Sequence, residues 1–289
     1  MFGGLAIRKS LLCHGYSDTV GRIRLLHLPS GEVKGSWHFG GGEGWADVGG
    51  LCLDRDANLY VADPEGGRIR RFSLFGTPAG EVGGNGEAQR GSLDHRGLVV
   101  HPNDVALDDL GNLYVAGGEQ PGRHAVQSFT PAGEFRFACR AFGEPLEEWG
   151  IPMGITVARD LLFVADTFNH CVQVFGLDGS FRMMFSTAEG EGSISQPVAL
   201  TVNREGDVLV AQWRDRPAVL AFDREGWFKG ELVGPGRREG RVEGPAALAL
   251  DEEENLYVLD QGGERVQQFD SRGVLVRVVC RPGETLSGE

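Results

Sequence analysis

One short apolar element recurs through this chain at a nearly constant interval, and it constrains the fold more than any other feature. Its copies are Leu59–Asp63 (LYVAD), Leu113–Gly117 (LYVAG), Leu162–Asp166 (LFVAD), Val208–Gln212 (VLVAQ) and Leu256–Asp260 (LYVLD), with a degenerate first copy at Leu11–Gly15 (LLCHG). The middle residues fall at 13, 61, 115, 164, 210 and 258, so the gaps are 48, 54, 49, 46 and 48. Six copies at that interval fill the chain. A period of this length is the mark of a repeat architecture in which each copy is one supersecondary unit.

Each copy carries four strand-like segments. In the second, strand A is Gly50–Asp54, strand B Leu59–Asp63, strand C Arg68–Phe72, and strand D starts near Glu81. The A–B links, such as Asp108-Asp109-Leu110-Gly111-Asn112, hold the Asp, Gly and Asn that tight hairpins need. The C–D links Pro131-Ala132-Gly133 and Leu177-Asp178-Gly179 do likewise. The 45 glycines punctuate short apolar runs, and no long helical period is visible. The expected fold is all-β: a six-bladed β-propeller of four-stranded antiparallel blades. It is expected to be one domain over 1–289, with blades at approximately 1–40, 41–87, 88–143, 144–190, 191–236 and 237–289.

Strand A sharpens that expectation. Large apolar residues (Leu5, Leu51, Val105, Ile155, Leu200, Leu248) precede small ones (Ala6, Cys52, Ala106, Thr156, Thr201, Ala249). Alternation with period 2 puts the two sets on opposite faces. Blades that converge on an axis need such a taper, whereas a solenoid does not. The first copy has its own A strand and the last its own D strand. The ring should therefore close by packing blade 1 against blade 6, without a borrowed strand.

The copies resemble the NHL-repeat family. The segment Val164-Ala165-Asp166-Thr167-Phe168-Asn169-His170-Cys171-Val172-Gln173-Val174-Phe175 follows its V-A-D-x-x-N-H-x-I/V-Q-x-F pattern, and Pro152-Met153-Gly154-Ile155 its P-x-G-I. Asp260, Glu264-Arg265-Val266-Gln267 and Phe269 repeat the pattern in blade 6. The resemblance covers nearly the whole chain and implies the propeller. For function it implies a range that includes RNA binders, protein-interaction modules, sensor domains, lyases and lactonases.

Composition narrows that range. With 41 acidic and 28 basic side chains the net charge is −13, which disfavours a general grip on phosphates. The basic run Arg237, Arg238 and Arg241 sits among acidic residues and is expected to be a solvated loop. No apolar run reaches the length of a membrane span. The start, Met1 to Gly15, has neither a long apolar run nor a cleavage motif, so no signal peptide is expected. The five cysteines are odd in number and widely spaced, as buried free thiols would be. Both features favour a cytoplasmic location.

In a four-stranded blade the B–C and D–A connections emerge on one face, where strand A begins beside the channel, and a ligand is expected there. The expected binding residues are Tyr16, Trp45, Asn103, Asp104, Trp149, Met153, Phe168 and Trp213. The aromatic members are natural anchors for a partner or alternatively plugs between blades. The residues aligned at the channel mouth are Gly3, Gly49, Asn103, Met153, Val198 and Ala246, and of these only Asn103 can ligate a metal. His101-Pro102-Asn103-Asp104 is similar to the Asn segment of the gluconolactonase propellers, which gather Glu, Asn and Asp from several blades around a divalent cation. Their Glu and Asp partners are not evident here. The peptidyl-hydroxyglycine lyase propellers carry His after the strand A proline, where this chain has Asn103, Met153, Val198 and Ala246. His38, His95 and His101 share the expected loop face. No nucleophile or phosphate-loop motif occurs.

The first reading is a non-catalytic scaffold that binds a protein, peptide or small molecule on the loop face, with no catalytic residues, metal or other cofactor, and no nucleic-acid or membrane partner. The alternative is a metal-dependent lactonase-like hydrolase or lyase at the channel mouth. RNA binding ranks third. His14 occupies a slot filled elsewhere by Ala62, Ala116, Ala165 and Ala211, which predicts either an exposed edge or a specific hydrogen bond there.

Overall fold

The computed structural model describes residues 3–16, 21–38, 47–83, 97–118, 125–139, 150–186 and 192–281. Six four-stranded antiparallel sheets follow one another along the chain. The first holds β1 (Leu5–Arg8), β2 (Leu11–Tyr16), β3 (Arg22–His27) and β4 (Val33–His38). The second holds β5 (Leu51–Leu53), β6 (Leu59–Asp63), β7 (Arg68–Phe72) and β8 (Pro78–Gly83). The third holds β9 (Pro102–Leu107), β10 (Leu113–Gly117), β11 (Ala125–Phe129) and β12 (Phe135–Cys139). The fourth holds β13 (Pro152–Ala158), β14 (Leu161–Asp166), β15 (Cys171–Gly176) and β16 (Phe181–Phe185). The fifth holds β17 (Pro197–Val202), β18 (Val208–Gln212), β19 (Ala218–Phe222) and β20 (Phe228–Val233). The sixth holds β21 (Pro245–Leu250), β22 (Leu256–Asp260), β23 (Arg265–Phe269) and β24 (Leu275–Cys280). The recurring apolar element is strand B of every sheet, buried along its whole length in blades 2, 3, 5 and 6. Among the described residues no helix is long and apolar enough to cross a membrane.

The A–B hairpins are held by local side-chain chemistry. Asp54, Asp108 and Asp251 each accept the backbone N–H groups two and four residues on, and a side-chain amide N–H from Asn58, Asn112 and Asn255. In blade 5 the roles are exchanged: Asn203 accepts from the Asp207 backbone N–H and donates to its carboxylate. Such a cradle satisfies the turn's donors without a partner from elsewhere, so it forms from sequence alone.

The core lies between the blades. Six clusters of buried residues match the six junctions of a closed ring. At one, Ala6, Cys13, Ile23 and Leu25 of blade 1 meet Leu51, Leu59, Val61 and Phe72 of blade 2. At the seam, Ala247, Ala249, Tyr257, Leu259 and Val266 of blade 6 meet Leu5, Leu12, Leu26 and Leu28 of blade 1. No strand is exchanged there, since β1–β4 and β21–β24 each form a sheet of consecutive strands. Arg277 reinforces the seam by donating to the carbonyls of Leu28 and Pro29.

The strand A taper works through these junctions. Ala106, in register with Tyr114, packs with Ile155, Val164 and Phe175 of blade 4. A small residue of one blade thus receives a large residue of the next, close to the axis. Leucine at 106 would drive extra methylenes into this well-packed junction. Ala106→Leu should therefore destabilise the fold by about 1–3 kcal/mol, read as a lowered urea midpoint. An unchanged midpoint would mean that Ala106 does not pack against blade 4.

Candidate functional site

The channel mouth is built by a repeated irregularity. In blades 3 to 6 strand A opens on a proline: Pro102, Pro152, Pro197 and Pro245. Proline has no N–H to give to the ladder. In each case the register skips the next residue, so that Pro152 pairs with Asp166 and Gly154 with Ala165, Pro197 with Gln212 and Ala199 with Ala211, and Pro245 with Asp260 and Ala247 with Leu259. Blade 3 does the same between Pro102 and Asp104. The skipped residues, Asn103, Met153, Val198 and Ala246, are left outside the ladder and line the channel. A bulge that re-aims one side chain in this way is a recurrent device at functional sites.

The channel encloses a cavity of about 450 Å³ walled by strand A of all six blades. Its side chains are largely apolar, including Leu51, Val105, Ile155 and Leu200, with Cys52, Asn103, Thr156, Thr201 and Gln261 as uncharged polar members. Asn103 donates from Nδ2 to the Pro152 carbonyl at 3.1 Å, tying blade 3 to blade 4. Its backbone carbonyl accepts from Gly50 N–H at 2.9 Å. Asp104 accepts from Val105 N–H at Oδ1 (2.8 Å) and from Ile155 N–H at Oδ2 (2.9 Å). Gly50 is glycine for a reason of space, because a Cβ there would collide with Asp104 Oδ1. Asp104 borders the cavity and is only half-buried as a residue, but its carboxyl group is enclosed by strands of three blades. That enclosure raises its pKa from 3.8 to about 7, against the lowering effect of the two backbone hydrogen bonds. Burial likewise pushes the Cys52 thiol up, helped by the charges of Asp104 and Asp54.

Above the cavity, the structure separates the expected anchors. Trp213 follows β18, is 47% exposed, and lines the cavity. Its indole lies against Gly244 of blade 6, where an added Cβ would stand 3.2 Å from Nε1, and the Arg214 guanidinium lies 5.6 Å from its ring centre. Phe168, in the B–C turn of blade 4, is 53% exposed and is not part of the cavity wall. Tyr16 is not in a loop: it is the last residue of β2, paired with Arg22, half-buried, with Arg24 5.0 Å from its ring centre. Trp45, Trp149 and His95 lie outside the described residues. Met153 and Asn103 are brought together with Asp104 and Trp213 around one cavity, and Tyr16 and Phe168 are not. Gln261 escaped the sequence reading, although it aligns with Trp213 directly after strand B.

The polar residues of the V-A-D-x-x-N-H pattern serve the frame of this face. Asp166 accepts from Gly150 N–H (2.7 Å), Asn169 Nδ2 (2.9 Å) and Gln173 Nε2 (2.8 Å). Burial raises its pKa, and those three bonds oppose the rise. Asp260 accepts from the backbone N–H groups of Glu243 and Gly244 and from Arg265 Nε. In blade 5 Gln212 does this work, accepting from Ser195 N–H and donating to the Arg216 carbonyl. Each pins a B–C or D–A connection to strand B of its own blade. In the basic run, the Arg237 side chain pairs with Glu243 at 2.7 Å, and the backbone carbonyls of Arg238 and Arg241 accept from Arg265. Among the described residues no group of three or more His, Cys, Asp or Glu converges to hold a metal ion.

No protein-family model matches the chain. Part of it is similar to Protein brain tumor of Drosophila melanogaster, with 24% identity over 133 residues, 45% of this chain. The matched region covers 12% of that relative's own length.

Proposed function

We propose that this NHL-like propeller is a non-catalytic recognition scaffold, and that a protein or peptide docks on the face where the B–C and D–A connections meet. Propellers of this kind generally serve as binding scaffolds. The observation that carries the reading is the position of Phe168 and Trp213. They are large, about half exposed, and set on that face in consecutive blades. An aromatic ring with two torsions loses little entropy on docking, so exposed aromatics on a rigid frame act as anchors. The frame here is rigid for a stated reason. Asp166 and Gln212 hold the turns that carry the two rings.

Two features weigh against the alternatives. A lactonase-like site would need Asn103 as a metal ligand beside further carboxylates, and Asp104 is the sole carboxylate among the described residues of the cavity wall. An RNA site would need an excess of cations at the phosphates, whereas the chain carries a net charge of −13 and Glu243 lies beside Arg237.

Peptides selected from a displayed library against the purified protein test the reading. Binding should fall at least about tenfold in a Phe168→Ala, Trp213→Ala double variant, the size of a lost anchor. It should persist in Leu110→Ala and Trp227→Ala, which alter exposed residues in A–B and C–D turns at the other end of the blades. The reverse pattern would put the docking surface on the opposite face and overturn the proposal.

A further inference from the structure

The channel holds one charged group with nothing to balance it. Asp104 is the sole ionisable acid or base, apart from the Cys52 thiol, among the described residues that wall the cavity. No Lys, Arg or His is among the described residues that line it. The elements packed around the carboxyl group offer no counter-charge: β5 presents Cys52, β10 presents Ala116 in register with Asp104, and β13 presents the Ile155 backbone N–H. A carboxylate offers about four lone-pair positions, and the two backbone N–H groups leave acceptor capacity over.

An ionised carboxyl in apolar surroundings either takes up a proton or finds a cation. Among the described residues the wall supplies no cation, so in its ionised form the carboxylate is free to take its complement from a ligand. A hard metal ion would ask for six to eight oxygens, which one carboxylate and one already donating amide do not provide. An organic ammonium asks for less, needing a few acceptors at its head and apolar contact along its body. The cavity offers both. The head would meet Asp104, with the side-chain oxygen of Asn103 beside it at the mouth. The body would lie among Leu51, Val105, Ile155 and Met153. The enclosed volume of about 450 Å³ falls within the range of small-molecule sites.

We propose that the central channel binds a small organic amine, its ammonium group on the Asp104 carboxylate and its apolar body against the strand A walls. The inference rests on the reading of this face as a binding face, and adds a second, chemically distinct occupant below the docking rim. Asp104 has a structural duty as well, because its bond to Ile155 N–H joins blade 3 to blade 4. The ligand would use the acceptor capacity which that duty leaves open.

The probes are a series of primary arylalkylamines, from benzylamine to naphthylethylamine, each titrated calorimetrically beside the alcohol of the same shape. At about pH 8, where Asp104 is ionised, the best amine should bind at least about tenfold tighter than its alcohol. The preference should shrink as the pH is lowered to about 5.5 and Asp104 takes up its proton. Asp104→Asn retains an oxygen for Ile155 N–H and should abolish the preference while leaving the alcohol's affinity unchanged. Ala246→Phe narrows the mouth and should weaken amine and alcohol alike. If Asp104→Asn does not fold, the pH series on the unaltered protein decides. An amine that binds no better than its alcohol, or a preference that survives Asp104→Asn or the drop in pH, would overturn the proposal. A rise in melting temperature with calcium alone would overturn it too. None of these outcomes depends on Phe168, so failure here is separable from failure of the peptide-docking proposal.

Discussion

Replacing Asp260 by alanine should destabilise the protein by about 3–5 kcal/mol, the cost of breaking a buried ion pair from one side. Asp260 is fully buried and the Arg265 side chain is 3% exposed, with Nε 3.1 Å from Oδ2. Without the carboxylate, Arg265 keeps its bonds to the carbonyls of Arg238 and Arg241 but retains a buried positive charge. The N–H groups of Glu243 and Gly244, now held at 2.9 and 2.8 Å, would also lose their acceptor. Asp260→Asn should cost less, since one oxygen can still accept those two N–H groups. Blade 2 provides the internal control. Asp63 pairs with Arg68 at the same 3.1 Å, but the Arg68 side chain is 31% exposed. After Asp63→Ala that guanidinium can turn to water, so the loss should be clearly smaller. Urea denaturation of the three variants decides the matter. Equal losses for Asp63→Ala and Asp260→Ala would refute the claim that burial sets the size of the effect.

The second large effect is one of pH, and it lies at the ring seam. His14 is not at an exposed edge, and its ring makes one long hydrogen bond, to sulfur. It is buried, its Nδ1 is 3.8 Å from Cys280 Sγ of the last strand, and its Nε2 has no hydrogen-bond partner among the described residues. Burial, and then the nearby Arg24 charge, lower its pKa from 6.5 to about 4. The unfolded chain therefore binds a proton at His14 more readily than the folded one. Its contribution is present in full above pH 6.5 and is lost as the pH falls through 4. At 1.36 kcal/mol per pKa unit, the loss is about 3 kcal/mol. Asp104 acts in the opposite sense. Its folded pKa is raised to about 7, so its contribution is greatest in acid and is lost as the pH rises through 7. The total pH profile mixes the two, but a comparison with His14→Leu isolates the histidine. Leucine suits the apolar seam beside Leu12, Leu26 and Leu259 and does not titrate. Relative to the unaltered protein, His14→Leu should gain about 3 kcal/mol between pH 7 and pH 4. Denaturant titrations at the two pH values measure that gain. A difference independent of pH would mean that water reaches the ring in the native state.

Both effects show where an NHL-like pattern is informative and where it is not. The Asp that closes strand B in blades 2, 4 and 6 belongs to the repeated pattern. In the fold it fastens loops, as Asp166 does through Gly150, Asn169 and Gln173. The residues that border the cavity are those the pattern leaves variable: Asn103, Met153, Val198 and Ala246. A repeat motif is shared by blades because every blade needs the same scaffold, whereas a ligand site needs the blades to differ.

What the sequence by itself determined is local. The alternation in strand A, the apolar strand B and the Asp cradles at Asp54, Asp108 and Asp251 act within about ten residues, and they set the strands, their register and the count of six blades. The taper from Leu5 to Ala6 and its repeats even indicated how neighbouring blades would meet. Tertiary structure alone decided the rest. That Asp104 touches Gly50 of one neighbour and Ile155 of the other, and that His14 meets Cys280, depend on residues brought together from different blades. Charge, burial and cavity shape are properties of that assembled ring. They arise from distances across some fifty to more than two hundred residues of chain, over which a period-2 pattern carries no information.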